Sequence, residues 1–352
     1  PALVVVSWRA VRHGGFGLRL FALWSLVMTI GTAAQARMVI YFFPVAAILA
    51  GAACARVPRF RAAVAALIVV ATLPGAISQT SINQGVSQDW RQAMYWLRNN
   101  TPEPFGAASK WWRYHPRLKG GVASSERSRW GVAVWWDRGY LVEYLARRVP
   151  LVNGGFSASL SSMARFYLET DSDSAVEWLR KNGARYVIVD PRIPLFADAN
   201  RSIFPAAVKL LRRDPSDYFR VFAADAPGGA RLVPVYLEKY YWTMGARLYL
   251  NDGLAVRETR PWVFETEAGG DGAGNAPERV VYSREFASAR EAAEYVAAHP
   301  DKRLTVGCVD PGVSCFALPP VAGLRQVFTT DPLPPSPKRT VHAVKVFELT
   351  AP

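Results

Sequence analysis

Between residues 1 and 80 the chain contains no aspartate, glutamate or lysine, and its only formal charges there are Arg9, Arg12, Arg19, Arg37, Arg56, Arg59 and Arg61. These seven arginines supply half of the net charge of +14. Much of the basic balance therefore belongs to membrane flanks, which removes it as an argument for nucleic-acid binding. Histidine and cysteine are also scarce. His13, His115, His299 and His342 are scattered, and the three cysteines are Cys54, Cys308 and Cys315. No nucleophile-histidine-acid spacing and no zinc-ligand spacing is present. The glycines of 269–275 do not precede an apolar helix, which excludes a phosphate-binding loop. An initiator methionine is absent too, and the sequence opens at Pro1 inside an apolar run. It reads as the C-terminal part of a longer protein.

What is there divides into two regimes. Residues 17–36, 38–55 and 62–79 are apolar runs close to the roughly 20 residues that cross a bilayer, and residues 1–8 read as the end of an earlier span. The clusters Arg9, Arg12, His13, Arg19 and Arg56, Arg59, Arg61 lie two crossings apart, so both belong on the cytoplasmic side, and everything after residue 80 is expected outside. Arg37 breaks that bias, because it sits in a tight turn on the outer face. It is either a snorkelling helix-end arginine or a guanidinium that meets a phosphate.

The external part is organised around Val132-Ala133-Val134-Trp135-Trp136-Asp137-Arg138-Gly139-Tyr140. The spacing predicts a buried strand ending in Trp135, Trp136 and Asp137, a break at Gly139, and a helix over 141–148. Two tryptophans and a carboxylate at a strand mouth give an apolar wall, indole N–H donors and an anionic acceptor, a set suited to a small hydroxyl-bearing side chain. The plainer alternative is two core tryptophans followed by a helix-capping aspartate.

Upstream, Ser87 starts a helix with Trp90, Ala93, Met94 and Leu97 at i, i+3, i+4 and i+7. Phe105 to Arg129 has no regular period. Downstream, helices are predicted over 161–168 and 173–182, the latter closed by Gly183, followed by a strand over 185–190. This is an α/β pattern, in which ligands bind beyond the carboxyl ends of strands, where Asp137 and Asp190 both fall. The stretch 191–234 carries no clear period, and a single helix is expected over 236–250. From 256 short strands and turns take over, closing on an alternating strand over 341–349. Cys308 and Cys315 flank a Pro-Gly turn and are candidates for a disulfide if they lie outside the cytoplasm. The expected fold is an α-helical transmembrane segment (1–79) followed by a mixed α/β external domain (80–255) with a small β-rich C-terminal domain (256–352).

Taken together, Ala36-Arg37-Met38, Gln88-Asp89-Trp90-Arg91-Gln92-Ala93-Met94-Tyr95-Trp96, Trp135-Trp136-Asp137, Ala184 to Asp190, Tyr240 to Gly253 and Val344 to Glu348, in this order along the chain, resemble the catalytic subunits of oligosaccharyltransferases of the AglB and PglB type. The resemblance spans nearly the whole chain. It implies a membrane glycosyltransferase that moves a glycan from a polyprenyl-phosphate-type lipid donor to Asn in Asn-X-Ser/Thr. Trp135, Trp136 and Asp137 would read the Ser/Thr, and Arg37 would contact the donor phosphate. Met244 and Asp190 are the candidates for an accessory acceptor contact. The resemblance also implies Mn2+ or Mg2+, held by acidic residues that precede this stretch, so this chain alone is expected to be inactive. Its partners would be the lipid-linked oligosaccharide, an acceptor polypeptide and the membrane, with no nucleic acid. Its place would be a cell membrane, multi-pass, with the C-terminal part on the periplasmic or extracellular side.

This sequence departs from the family pattern in having Arg138 where Tyr is usual, an added guanidinium that would compete for Asp137. Two other readings stay open, a related lipid-phosphate-sugar glycosyltransferase with another acceptor and a non-catalytic external binding domain on a membrane anchor.

Overall fold

The computed structural model describes residues 15–34, 86–113, 128–153, 157–194, 202–226, 229–268, 277–330 and 344–350, with isolated residues elsewhere. Two compact units are present, Pro1–Gly85 and Val86–Pro352. The first contributes helix α1 (Phe16–Ala34), 19 residues long and apolar enough to cross a membrane. Arg37 and nearly all of the other expected spans lie outside the described residues.

In the second unit, α2 (Gln88–Asn100) starts where the Ser87 side chain accepts from the Trp90 amide. Its apolar positions Trp90, Ala93, Met94 and Leu97 are all buried, as the spacing predicts. A short 3-10 turn (Ala108–Arg113) follows. Next come β1 (Gly131–Ala133) and α3 (Trp136–Leu141), which runs on into a π turn over Val142–Ala146. After these come α4 (Ser157–Leu168), α5 (Ser172–Lys181), capped by the Asp171 carboxylate, and β2 (Ala184–Val189). The remaining elements are α6 (Ile203–Leu210), β3 (Phe219–Ala226), β4 (Gly229–Tyr236), α7 (Glu238–Trp242), α8 (Met244–Asn251), β5 (Trp262–Glu267), β6 (Arg279–Glu285), α9 (Ala289–Ala298), β7 (Leu304–Gly307), β8 (Leu324–Thr329) and β9 (Lys345–Leu349).

The first sheet has the order β1-β2-β9-β8, with β1 and β2 parallel and the other pairs antiparallel. It is covered on both faces, which is why β2 reads as a nearly unbroken apolar run. Val132, Val134, Tyr186, Ile188 and Val346 join Trp90, Met94 and Leu97 of α2 on one face. Ala133, Trp135, Val187, Val189 and Phe347 join Met163, Tyr167, Leu179 and Leu248 on the other. Each large side chain buried in these layers stabilises by about 1.5–3 kcal/mol. The second sheet has the order β4-β3-β6-β5-β7. Both sheets draw strands from either side of residue 255, so the expected division there follows neither of them. Cys308 and Cys315 are joined in a disulfide, with their Cα atoms 5.9 Å apart.

Several local expectations are corrected. The helix expected from 141 begins at Trp136, so Gly139 lies inside it rather than breaking it. The helix expected over 236–250 is two helices, because Thr243 is extended and its side chain accepts from the Ala246 amide as a new N-cap. The stretch 191–234 holds α6 and the β3-β4 hairpin, and the region after 256 holds α9.

One buried cation closes the layer under the site. Arg148, 0% exposed, gathers the carbonyls left without partners at the C-terminal end of α2. Its Nη2 donates to Arg98 O and Thr101 O, both at 2.8 Å, and its Nε donates to Thr101 Oγ1 at 2.7 Å. Nη1 donates to Arg147 O at 2.9 Å and pairs with Glu103 at 3.4 Å.

Candidate functional site

Alternation along β1 sends Ala133 and Trp135 to the α4 face and Val132 and Val134 to the α2 face. Trp135 is buried, with its ring 6.1 Å from that of Tyr167. Trp136 is half-buried and packs against the same layer. Asp137 then falls in the first turn of α3, at the carboxyl end of β1, where the helix dipole favours an anion. Its side chain retains 29% of its exposure. The burial of Trp135 agrees with the core-tryptophan alternative. The half-exposed Trp136 and Asp137 form the open edge.

Asp137 does not stand alone. Arg192 Nη1 donates to Asp137 Oδ2 at 2.6 Å and Arg192 Nη2 to Asp137 Oδ1 at 3.4 Å. The same guanidinium grips Asp190, which is 3% exposed: Nε lies 2.8 Å and Nη2 2.7 Å from Asp190 Oδ2. Asp190 Oδ1 also accepts from the Arg192 amide at 3.0 Å, folding the turn that brings the arginine back over the strand ends. Burial works against the charge of Arg192, but Asp190 and Asp137 outweigh it and hold the pKa above the ordinary arginine value. The result is an Asp-Arg-Asp chain that fixes the Asp137 carboxylate and leaves it lone pairs for a further donor.

Arg138 sits farther off, 3.8 Å from Asp137 Oδ2, with its guanidinium 5.2 Å from the centroid of the Trp90 ring. Burial, with Arg192 nearby, lowers its pKa despite Asp137. The competitor anticipated for Asp137 is therefore outranked by Arg192, a residue the sequence reading passed over. The signal for it was an arginine two positions beyond the β2 aspartate. Tyr167 completes the floor, donating to Ile188 O at 3.0 Å. Burial first, then Asp190, pushes its phenol well above the usual value.

Met244 is fully buried and its amide donates to Glu169 O at 2.8 Å. Its neighbour Gly245 packs against Ile193 and Tyr167. Asp190 and Asp137 are thus brought together through Arg192, whereas Met244 enters the adjoining core. Among the described residues no group of three or more His, Cys, Asp or Glu side chains could hold a metal ion. Asp137 and Asp190 also share a guanidinium, so this site does not fit Mn2+ or Mg2+.

Gly139 fixes how closely α3 approaches the loop beyond β1. A Cβ there would collide with Val152 O and lie 2.9 Å from Asn153 Cα. Asn153 in turn donates to Glu143 Oε1 at 2.9 Å. Gly139→Ala is expected to lower stability by about 1–3 kcal/mol, read as a drop in melting temperature, because helix or loop must shift.

The sequence around this geometry has a known counterpart. Residues 87–194 match the AglB core domain. The chain is similar to archaeal oligosaccharyltransferases. It is 24% identical over 311 residues to dolichyl-phosphooligosaccharide-protein glycotransferase 3 of Archaeoglobus fulgidus, covering 74% of this chain and 35% of that protein. To the dolichyl-monophosphooligosaccharide-protein glycotransferase AglB of Haloferax volcanii it is 27% identical over 255 residues, covering 65% of this chain and 24% of the relative. The chain thus spans about a quarter to a third of the length of these two AglB-type relatives. The apo crystal structure of the Archaeoglobus fulgidus oligosaccharyltransferase shares the fold at a TM-score of 0.56 and 18% identity, covering 99% of this chain and 45% of that one. The same enzyme tethered to an acceptor peptide containing the NVT sequon aligns at a TM-score of 0.55 and 18% identity, covering 99% and 46%. The matched stretch 87–194 includes every member of the Asp137-Arg192-Asp190 chain.

Proposed function

We propose that this chain is the C-terminal part of a membrane oligosaccharyltransferase and that Trp136 and Asp137 read the Ser/Thr of an Asn-X-Ser/Thr acceptor. The observation that carries this reading is the Asp137 carboxylate, half-exposed at a strand end, braced by Arg192 and bordered by Trp136 over the buried Trp135. A hydroxyl donates to the carboxylate while its methylene or methyl group lies along the indole. Arg192 is the positioning residue, since it holds both Asp137 oxygens in one plane without filling all their lone pairs. Asp190 acts through Arg192, and Met244 supports the turn through the packing of Gly245 on Ile193.

Transfer itself would need groups beyond the Asp137 edge. The donor phosphate is assigned to Arg37. The Mn2+ or Mg2+ of the reaction would be held by residues outside this chain, and the chain by itself is expected to have no transfer activity. In the longer protein the second unit would face the periplasmic or extracellular side, with the lipid-linked oligosaccharide in the membrane and the polypeptide reaching the Asp137 edge from outside.

The decisive experiment compares acceptors in the full-length enzyme. An Asn-X-Thr peptide should be glycosylated and its Asn-X-Ala counterpart should not. Equal labelling of the two would refute the role given to Asp137. For Arg37, replacement by alanine should weaken use of the lipid donor and leave peptide binding unchanged. Unaltered donor affinity would return Arg37 to a snorkelling role.

A further inference from the structure

Arg138 stands at the Asp137 edge without a full partner. Arg192 already holds both Asp137 oxygens, and Asp137 Oδ2 lies 3.8 Å from Arg138, on its Nε side. That Nε is buried without a hydrogen-bond partner and is out of reach of any ligand. Nη1 and Nη2 differ. Neither is buried and neither makes a hydrogen bond among the described residues, so the end of the guanidinium reaches the surface of a side chain that is 28% exposed. Beneath it lies Trp90, 5% exposed, with its ring centroid 5.2 Å from the guanidinium carbon. This contact gives the fork a rigid floor and leaves its outer end free.

What the outer end takes follows from charge and shape. Burial and the neighbouring Arg192 depress the Arg138 pKa more than Asp137 and Asp190 restore it, so the guanidinium is short of negative charge. A planar fork with free N–H groups is matched by a carboxylate, which accepts two parallel hydrogen bonds from it. An apolar or cationic neighbour would leave those donors unpaired. Geometry then limits where the carboxylate sits. An acceptor lying extended across the edge carries the side chains of one face two residues, or about 7 Å, apart. With the Ser/Thr at Asp137, the residue two before it is the Asn that receives the glycan. The residue two beyond it is left to face Arg138.

We propose that Arg138 is a specificity-determining residue whose Nη groups take the carboxylate of an Asp or Glu two residues beyond the Ser/Thr of the acceptor. The inference rests on Asp137 reading the hydroxyl and adds a charge preference that the hydroxyl contact does not supply.

The test measures glycan transfer by the full-length enzyme to Asn-X-Thr-X-Asp and Asn-X-Thr-X-Ala peptides, with Asn-X-Ala-X-Asp as the control. The acidic peptide is expected to have an acceptor KM about fivefold below that of the neutral one, the equivalent of about 1 kcal/mol for a half-exposed ion pair. Arg138→Gln should make the two KM values equal, Arg138→Lys should keep part of the difference, and raised ionic strength should shrink it. Melting temperatures check that both variants fold. Equal KM values in the parent enzyme overturn the proposal without any variant, as does a preference that survives Arg138→Gln. A rise in donor KM in Arg138→Gln, with no difference between the peptides in the parent, would place the anion on the lipid phosphate and overturn it too. The control separates this inference from the one beneath it. Equal transfer to Asn-X-Ala-X-Asp and Asn-X-Thr-X-Asp removes both, whereas discrimination against Ala with no charge preference removes only the role of Arg138.

Discussion

Replacing Asp137 with alanine in the full-length enzyme is expected to cut glycan transfer to an Asn-X-Thr peptide about 10- to 100-fold, chiefly through a raised acceptor KM with the donor KM unmoved. The size follows from losing a hydrogen bond to a charged acceptor, about 1.5–3 kcal/mol, at 1.4 kcal/mol per tenfold. An interaction made equally in the ground and transition states appears in KM rather than kcat. Arg192→Met should act in the same direction but less strongly, because it frees the carboxylate from its 2.6 Å brace without removing it. If acceptor KM is unchanged in Asp137→Ala while the protein remains folded, the carboxylate does not read the hydroxyl.

The second large effect concerns stability. Arg148→Met keeps most of the side-chain volume but strips the partners from Arg98 O, Thr101 O and Thr101 Oγ1, all in a buried layer. Each buried acceptor left unpaired costs about 1–3 kcal/mol, and such costs do not add fully, so a loss of about 3–5 kcal/mol is expected. A melting curve of the full chain reads it directly. The Thr101 hydroxyl donates to Leu97 O at 2.5 Å and depends on the same guanidinium, so Thr101→Val should reproduce part of the loss. A melting temperature equal to the parent's in Arg148→Met would mean that water replaces the guanidinium and that the α2 end is not truly closed.

What was legible in the sequence was local. Ser87 with Trp90, Ala93, Met94 and Leu97 gave a capped, one-faced helix, and the run before Asp190 gave a strand buried on both faces, because each signal sits within a dozen residues. The strand-end position of Asp137 was legible for the same reason. Arg192 was not, since its partner lies 55 residues away and nothing in Pro191-Arg192-Ile193 announces which carboxylate the turn will present. The helix boundary at Trp136 was missed because a glycine usually breaks a helix. At Gly139 it permits close packing instead. The β3-β4 hairpin did carry a signal, alternating apolar residues around Pro227-Gly228-Gly229, but it was lost in a stretch read as irregular. The break at Thr243 was hidden by continuous apolar spacing on either side.

The insertion of β9 between β2 and β8 also sets a timetable. Tyr186 on β2 faces Glu348 on β9 across 162 residues of chain, so the central strand of this sheet lacks one neighbour until residues 345–349 have been synthesised. Closing so long a loop is slow relative to forming the helices around it. Asp137 follows β1 and Arg192 follows β2, the strand that waits for β9, so a nascent chain would set the Asp137-Arg192 pair on a finished sheet as one of its last folding events.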